Sequence, residues 1–202
     1  MEEIIMDWHA VLGVLSGVVL AAGGMYYVWT MLRGASRPNK VTQVLWLLLA
    51  AIQVAALIDV GASWPLILMV VATVNCLVIV ILTFAGYGYT KHGPLDYACF
   101  ALALLSLVGW KITGNPNVAI FLAILTSLLA IAPAIVKTYR YPETEHTGAW
   151  AVVTIAALLS LFSTTRFDFA NIAIPLYQFV ENGIMMGLAY FGQRFKAPTY
   201  EN

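Results

Sequence analysis

The stretch LRGASRPNKVTQVLW, residues 32–46, has a counterpart in VKTYRYPETEHTGAW, residues 136–150. At a fixed offset of 104 residues, and with no gap, Arg33 meets Lys137, Pro38 meets Pro142 and Trp46 meets Trp150. Each stretch breaks a long apolar sequence with basic residues and a proline. Cutting the chain at such polar and Gly/Pro punctuation gives seven apolar runs, over residues 9–32, 41–58, 65–84, 95–110, 118–136, 147–163 and 170–191. Each of the two related stretches joins the first and second runs of a group of three, and the fourth run stands between the groups. A single linking span reverses the direction of the chain, so both groups enter a membrane the same way. That is a parallel internal repeat, one of the two ways in which transporters build a pseudo-symmetric central site.

Composition makes the membrane the expected solvent. Of the 202 residues 61% are hydrophobic and only 10% charged, with a mean hydropathy of +0.86. Soluble domains run near 25% charged and 45–50% apolar, so a soluble enzyme or a disordered tail is excluded. Ten basic and ten acidic residues cancel, leaving no field to attract nucleic acid. Cys76 and Cys99 lie inside apolar runs and form neither a disulfide framework nor a metal spacing. Spans of about 20 residues each would use the whole length on seven crossings and short loops. The fold class is therefore an all-α, multi-pass integral membrane protein of 3+1+3 plan, expected in a plasma or inner membrane. Its parts are a first three-helix repeat over 1–90, a linker helix over 91–113, a second repeat over 114–194 and a tail over 195–202.

The flank of the first run is acidic (Glu2, Glu3, Asp7) where a signal peptide needs basic residues, so that run is read as a mature span. Arg33, Arg37, Lys40, Lys91, Lys137, Arg140, Arg194 and Lys196 fall on one side of the plan, and only Lys111 and Arg166 on the other. Positive charge marks the cytoplasmic face, which puts the amino terminus outside and the carboxyl terminus inside. Trp8, Trp64 and Trp110 then sit at outer ends, and Trp29, Trp46, Trp150 and Tyr139 near inner ends, as interface anchors do.

This plan, with short basic loops after spans one and five, resembles the PQ-loop superfamily, which includes the SWEET sugar transporters, the half-size SemiSWEETs, the lysosomal amino-acid exporters and the KDEL receptor. The run Ala132-Pro133-Ala134-Ile135-Val136-Lys137 is similar to that family's proline motif at the inner end of a repeat's first helix. Ala134 stands where the family has glutamine, and the first repeat offers Gly23-Gly24 in place of a proline. The resemblance implies gating hinges at Pro133 and at Gly23-Gly24. It also implies a central pocket carrying one asparagine from the third helix of each repeat, Asn75 and Asn182, with Trp46 and Trp150 as second-helix candidates for its walls.

Glu181 is the most informative single residue. It lies near the middle of the last run with no basic residue on that span. A carboxylate at such depth costs at least about 2.5–3.5 kcal/mol on insertion scales, so it requires a proton, a partner or water. Helical spacing puts Ile174, Gln178, Glu181, Asn182 and Met185 on one face. A proton-coupling role follows as an expectation, the alternative being a permanent bond to Gln53 or Thr73 on a neighbouring helix. Gln53 is a further candidate for the central network, and Pro175 can kink the helix just before the patch. Gly183 and Gly187, four apart, suggest a close helix approach. Thr73, Thr126, Ser127 and Thr154 can be satisfied by their own helices, and Asp59, Asp96, Lys111 and Asp168 by water at span ends.

No lysine precedes Lys196 in the last span to hold a retinal. No paired intramembrane ligands suit haem or metal, and no Ser-His-Asp, HExxH or phosphate-loop pattern occurs. No enzymatic activity, cofactor or metal is expected. The expected partners are membrane lipid, protons and a small polar solute, sugar-like or amino-acid-like, moved by alternating access around a midplane site. A non-transporting receptor or assembly subunit on the same plan is the alternative reading, and oligomeric state is open.

Overall fold

The computed structural model describes residues 7–34, 38, 40–88, 94–140, 142 and 146–195. Arg37, Lys91, Lys196 and the tail beyond 195 lie outside these, as do the side chains of Asp96, Cys99, Pro133, Lys137 and Arg140. Seven α-helices and no strand occur among the described residues: α1 (Trp8–Leu32), α2 (Lys40–Asp59), α3 (Pro65–Leu82), α4 (Pro94–Thr113), α5 (Pro116–Arg140), α6 (Thr147–Phe162) and α7 (Phe169–Phe195). A π turn over Thr83–Tyr87 extends α3. Each helix covers one predicted apolar run, and α4, α5 and α7 continue about one turn further, to Thr113, Arg140 and Phe195.

Local chemistry sets the boundaries. Asp7 caps α1 by accepting the His9 N–H at 3.0 Å, and Pro65 opens α3, where its missing N–H costs nothing. At the end of α2, Gly61 takes φ +63°. The Ala62 N–H then closes on the Leu57 carbonyl at 2.8 Å and the Gly61 N–H on Ile58 at 3.0 Å, the Schellman pattern that a left-handed residue permits. α3 and α7 begin 104 residues apart, at Pro65 and Phe169, which is the offset of the two related stretches.

The packing order is the same in the two groups. α3 lies against both α1 and α2, and α7 against both α5 and α6. Across the groups α1 packs on α6 and α2 on α5, while α4 stays peripheral, touching α5 and α2. A cluster of Ile52, Ala56, Leu57, Met69, Ala119, Ile120, Ala170 and Ile174 joins α2, α3, α5 and α7 toward the end where α7 begins. Leu45, Leu49 and Ala123 continue the α2–α5 seam, and Leu20, Leu68 and Ala156 join α1, α3 and α6. The many alanines at these contacts let the helix backbones approach closely.

Large apolar side chains cover the outside as well as the core. Val14, Val18, Val74, Ile81, Phe121, Ile155, Ile184 and Phe191 face outward, while Gln53, Asn171, Glu181 and Asn182 are buried. Among the described residues two helices are long and apolar enough to cross a membrane, Trp8–Leu32 and Pro65–Tyr87. α7 is longer than either, but Asn171, Gln178, Glu181, Asn182, Gln193 and Arg194 dilute its apolar character.

Candidate functional site

The polar face of α7 is the candidate site. Glu181 is the thirteenth of the 27 residues of α7 and is 8% exposed. Ile174, Asn182 and Met185 are buried beside it, as the helical spacing requires. Its partner is neither Gln53 nor Thr73 but Tyr177, one turn back on the same helix, whose hydroxyl is placed to donate to the carboxylate and to accept from Ser127 on α5. Thr73 instead donates to the Met69 carbonyl of its own helix at 2.8 Å. Sequence reading passed over Tyr177 and assigned Ser127 to its own helix. The signal available was spacing, since a tyrosine four residues before a buried acid shares its face.

Asn182 turns back on α7, donating from Nδ2 to the Gln178 carbonyl at 2.6 Å and to Gln178 Oε1 at 3.0 Å. Asn75 behaves differently. It donates across to the Leu20 carbonyl of α1 at 3.1 Å, and Gly24 leaves the room, because a Cβ there would run into the Asn75 amide. The two asparagines are 107 residues apart, about one helical turn out of step with the 104-residue offset. Each has its Nδ2 engaged within its own three-helix group.

Gln53 is 2% exposed, and its Oε1 has no hydrogen-bond partner among the described residues. Leu49 and Ala56, four before and three after it, share its helix face and pack on α5, so Gln53 points into the α2–α5 seam. A buried amide oxygen without a donor costs about 1–3 kcal/mol. Trp46 is half-buried against Leu45 and Leu49 on the same seam, and Trp150 is half-buried on α6.

The candidate hinges lie within continuous helices. α1 runs through Gly23 and Gly24, α5 through Pro133, and α7 through the buried Pro175. At Gly23 α1 lies close against α6, and a Cβ there would meet Val152 Cγ1 at 2.6 Å. The close approach expected of the other glycine pair is not made. A Cβ at Gly183 would make only an ordinary contact with Thr154 of α6 at 3.9 Å, and Gly187 faces open space with nothing within 4 Å.

One end of the bundle carries a cross-group lock that the sequence left as solvated charge. The α2–α3 and α6–α7 loops meet there. The Ser63 N–H and hydroxyl both donate to Asn171 Oδ1, at 2.9 and 3.0 Å, and Arg166 Nη1 donates to the carbonyls of Gly61 at 3.0 Å and Val60 at 3.3 Å. Asp168 aims these groups. Its Oδ1 accepts from Asn171 Nδ2 at 2.8 Å and from the Asn171 N–H at 3.0 Å, and its Oδ2 faces Arg166 Nε at 3.3 Å. The Asn171 side-chain bond, then its backbone bond and the Arg166 charge, hold the Asp168 carboxyl below its ordinary 3.8. At the opposite end the Tyr26 hydroxyl of α1 meets His146 Nε2 at 3.2 Å, while His146 Nδ1 caps α6 by accepting the Ala149 N–H at 3.3 Å.

An apolar groove of about 450 Å³ on the outer flank of α1 is lined by Ala10, Val11, Val14, Leu15, Val18 and Trp64, and by none of the predicted site residues. Among the described residues no group of three or more His, Cys, Asp or Glu could hold a metal. The chain matches no family model, no curated protein and no solved structure.

Proposed function

We propose that this chain is a seven-span membrane transporter that moves a small polar solute by alternating access between two parallel three-helix repeats joined by α4. The observation that carries the reading is the exchange of contacts between the groups. Mapping α1, α2 and α3 onto α5, α6 and α7 turns the α1–α6 contact into the α5–α2 contact, and both are made. A pseudo-twofold of that kind leaves a shared seam in which a central site can open to either side. The outward-facing apolar side chains suit lipid contact, and the buried amides and carboxyl suit a polar solute. The amino terminus outside and carboxyl terminus inside remain the orientation that the basic loops favour.

The lock of Ser63, Asn171 and Arg166 supports a state closed at the outer end, since it ties the two repeats where their second and third helices join. Alternating access requires such cross-repeat bonds to break on opening, and polar bonds of about 0.5–1.5 kcal/mol each are suited to that. Asn182, Gln178, Glu181 and Gln53 are the solute-facing candidates, with Glu181 able to carry a coupled proton.

The test is counterflow uptake in proteoliposomes with labelled sugars and amino acids at two pH values, wild type beside Asn182→Ala. Flux that disappears in the variant supports transport through the α7 face and names the solute class. No flux for any solute, with the protein folded, favours the receptor or assembly reading, which a soluble partner that co-purifies would strengthen.

A further inference from the structure

We infer that the Tyr26–His146 pair is a second gate, closing the inner end of the bundle as the lock of Ser63, Asn171 and Arg166 closes the outer. This rests on the transporter reading above and adds the conformational state, closed at both ends, and the residues that hold it. The two closures stand at opposite ends of one helix. α6 starts next to His146 and ends at Phe162, just before the Thr164–Asp168 stretch of the lock. Its 16 residues make a rod of about 24 Å. At its outer end the Thr165 N–H reaches Ser63 Oγ at 3.5 Å, beside the Arg166 bonds to Val60 and Gly61. At its inner end the Tyr26 hydroxyl meets His146 Nε2 at 3.2 Å, with the two rings edge to face at 5.4 Å. Between the ends α1 runs close along α6, at Gly23 against Val152 and at Leu20 beside Ala156.

Each partner of the inner contact is fixed within its own group before it reaches across. Tyr26 stacks on Trp29 at 5.8 Å, and the Arg33 guanidinium lies 4.3 Å over the same indole. His146 is held by its capping bond, in which Nδ1 accepts the Ala149 N–H at 3.3 Å. An imidazole whose Nδ1 accepts carries its one proton on Nε2, so His146 donates and the Tyr26 oxygen accepts. The start of α6 is tied in turn to α7. Gln193 Nε2 donates to the Pro142 carbonyl at 2.8 Å, and the Thr147 hydroxyl donates to Gln193 Oε1 at 3.4 Å. Parting His146 from Tyr26 therefore moves one group against the other, and neither side chain can simply swing away. The repeat supplies no duplicate of this contact, because the residue 104 places on from Tyr26 is Ala130, whose side chain forms no hydrogen bond.

The experiment measures distances between paired spin labels, by pulsed electron resonance, on the protein in liposomes. One pair, at Leu32 and Phe195, reports the inner end, and the other, at Ile58 and Phe167, the outer. Each pair has one label on each group, at side chains that are exposed. Tyr26→Phe keeps the ring and removes the acceptor. His146→Asn keeps a capping side chain and is too short to reach Tyr26. Both should raise the open-to-closed ratio of the inner pair about two- to tenfold, the worth of one net hydrogen bond, and leave the outer pair as in wild type. Arg166→Ala should do the reverse and widen the outer pair alone. Inner distances that stay at wild-type values in both Tyr26→Phe and His146→Asn overturn the inference, even where sugars or amino acids are taken up and the transporter reading stands. Widening of both pairs together by either variant is general loosening, and overturns it as well. Opening of the inner pair alone, in folded protein that moves no solute, keeps the gate as a switch and overturns the transporter reading instead.

Discussion

The first and second three-helix groups share a packing order and use their polar side chains for opposite purposes. In the first, Asn75 of α3 crosses to the α1 backbone, and Gly24 clears its path. The result is a fixed joint that leaves α3 otherwise apolar over its middle. In the second, α7 turns Asn182 back on Gln178 and presents Glu181 and Tyr177 toward Ser127 of α5. On the proposed reading the two groups divide into a scaffold half and a chemical half. A shared frame can keep its geometry after losing polar residues from one copy, because helix packing rests on small residues and shape rather than on any one hydrogen bond.

The sharpest way to break this comparison is to remove the chemistry from the second half. Glu181→Gln should lower solute uptake about tenfold or more, since a hydrogen bond to a charged group is worth about 1.5–3 kcal/mol. Thermal stability should not fall with it. The matching insult to the first half acts on stability instead. Gly24→Ala forces its Cβ into the Asn75 amide and should destabilise by about 1–3 kcal/mol, read as a lower Tm in detergent. Gly187→Ala, with nothing within 4 Å, should leave Tm level or raise it. Equal effects of the two alanines would deny the first half its fixed joint.

A smaller effect is expected from Asn75→Ala, the loss of one interhelical bond worth about 0.6–2 kcal/mol, with solute affinity retained. If uptake and not stability collapses, Asn75 belongs to the site and the division of labour fails. The smallest effect concerns the lock between the halves. The Asp168 carboxyl is held below its usual range by Asn171 and Arg166. Its contribution is complete above the unfolded value and is lost as pH falls through the lower folded value. The lock's contribution to Tm in detergent should therefore be flat from neutral pH down to about 4 and fall below that, and Asp168→Asn should remove that dependence.

Most of the architecture was legible in the sequence because apolar runs and Gly/Pro breaks translate directly into helices. All seven runs became helices, with α4, α5 and α7 about one turn longer than expected. The polar face of α7 was legible for the same reason, since Gln178, Glu181 and Asn182 share a face by spacing alone. Partners across helices were not. Nothing in the local sequence says that Asn75 meets Leu20, that Ser127 meets Tyr177, or that Asn171 reaches Ser63. Those contacts depend on which helix packs on which. Arg166 and Asp168 read as solvated charge for that reason, although an aspartate three residues before an asparagine at a helix start is a capping pattern. Gly183 and Gly187 show the converse error, a packing motif that makes only one loose contact, with Thr154 of α6.

The most direct test of the central claim is the pH dependence of solute uptake in proteoliposomes, compared between wild type and Glu181→Gln. If the buried carboxyl of α7 is the transport site, wild-type uptake changes with pH and the variant's does not. A variant that keeps both the wild-type rate and the wild-type pH dependence would contradict the account.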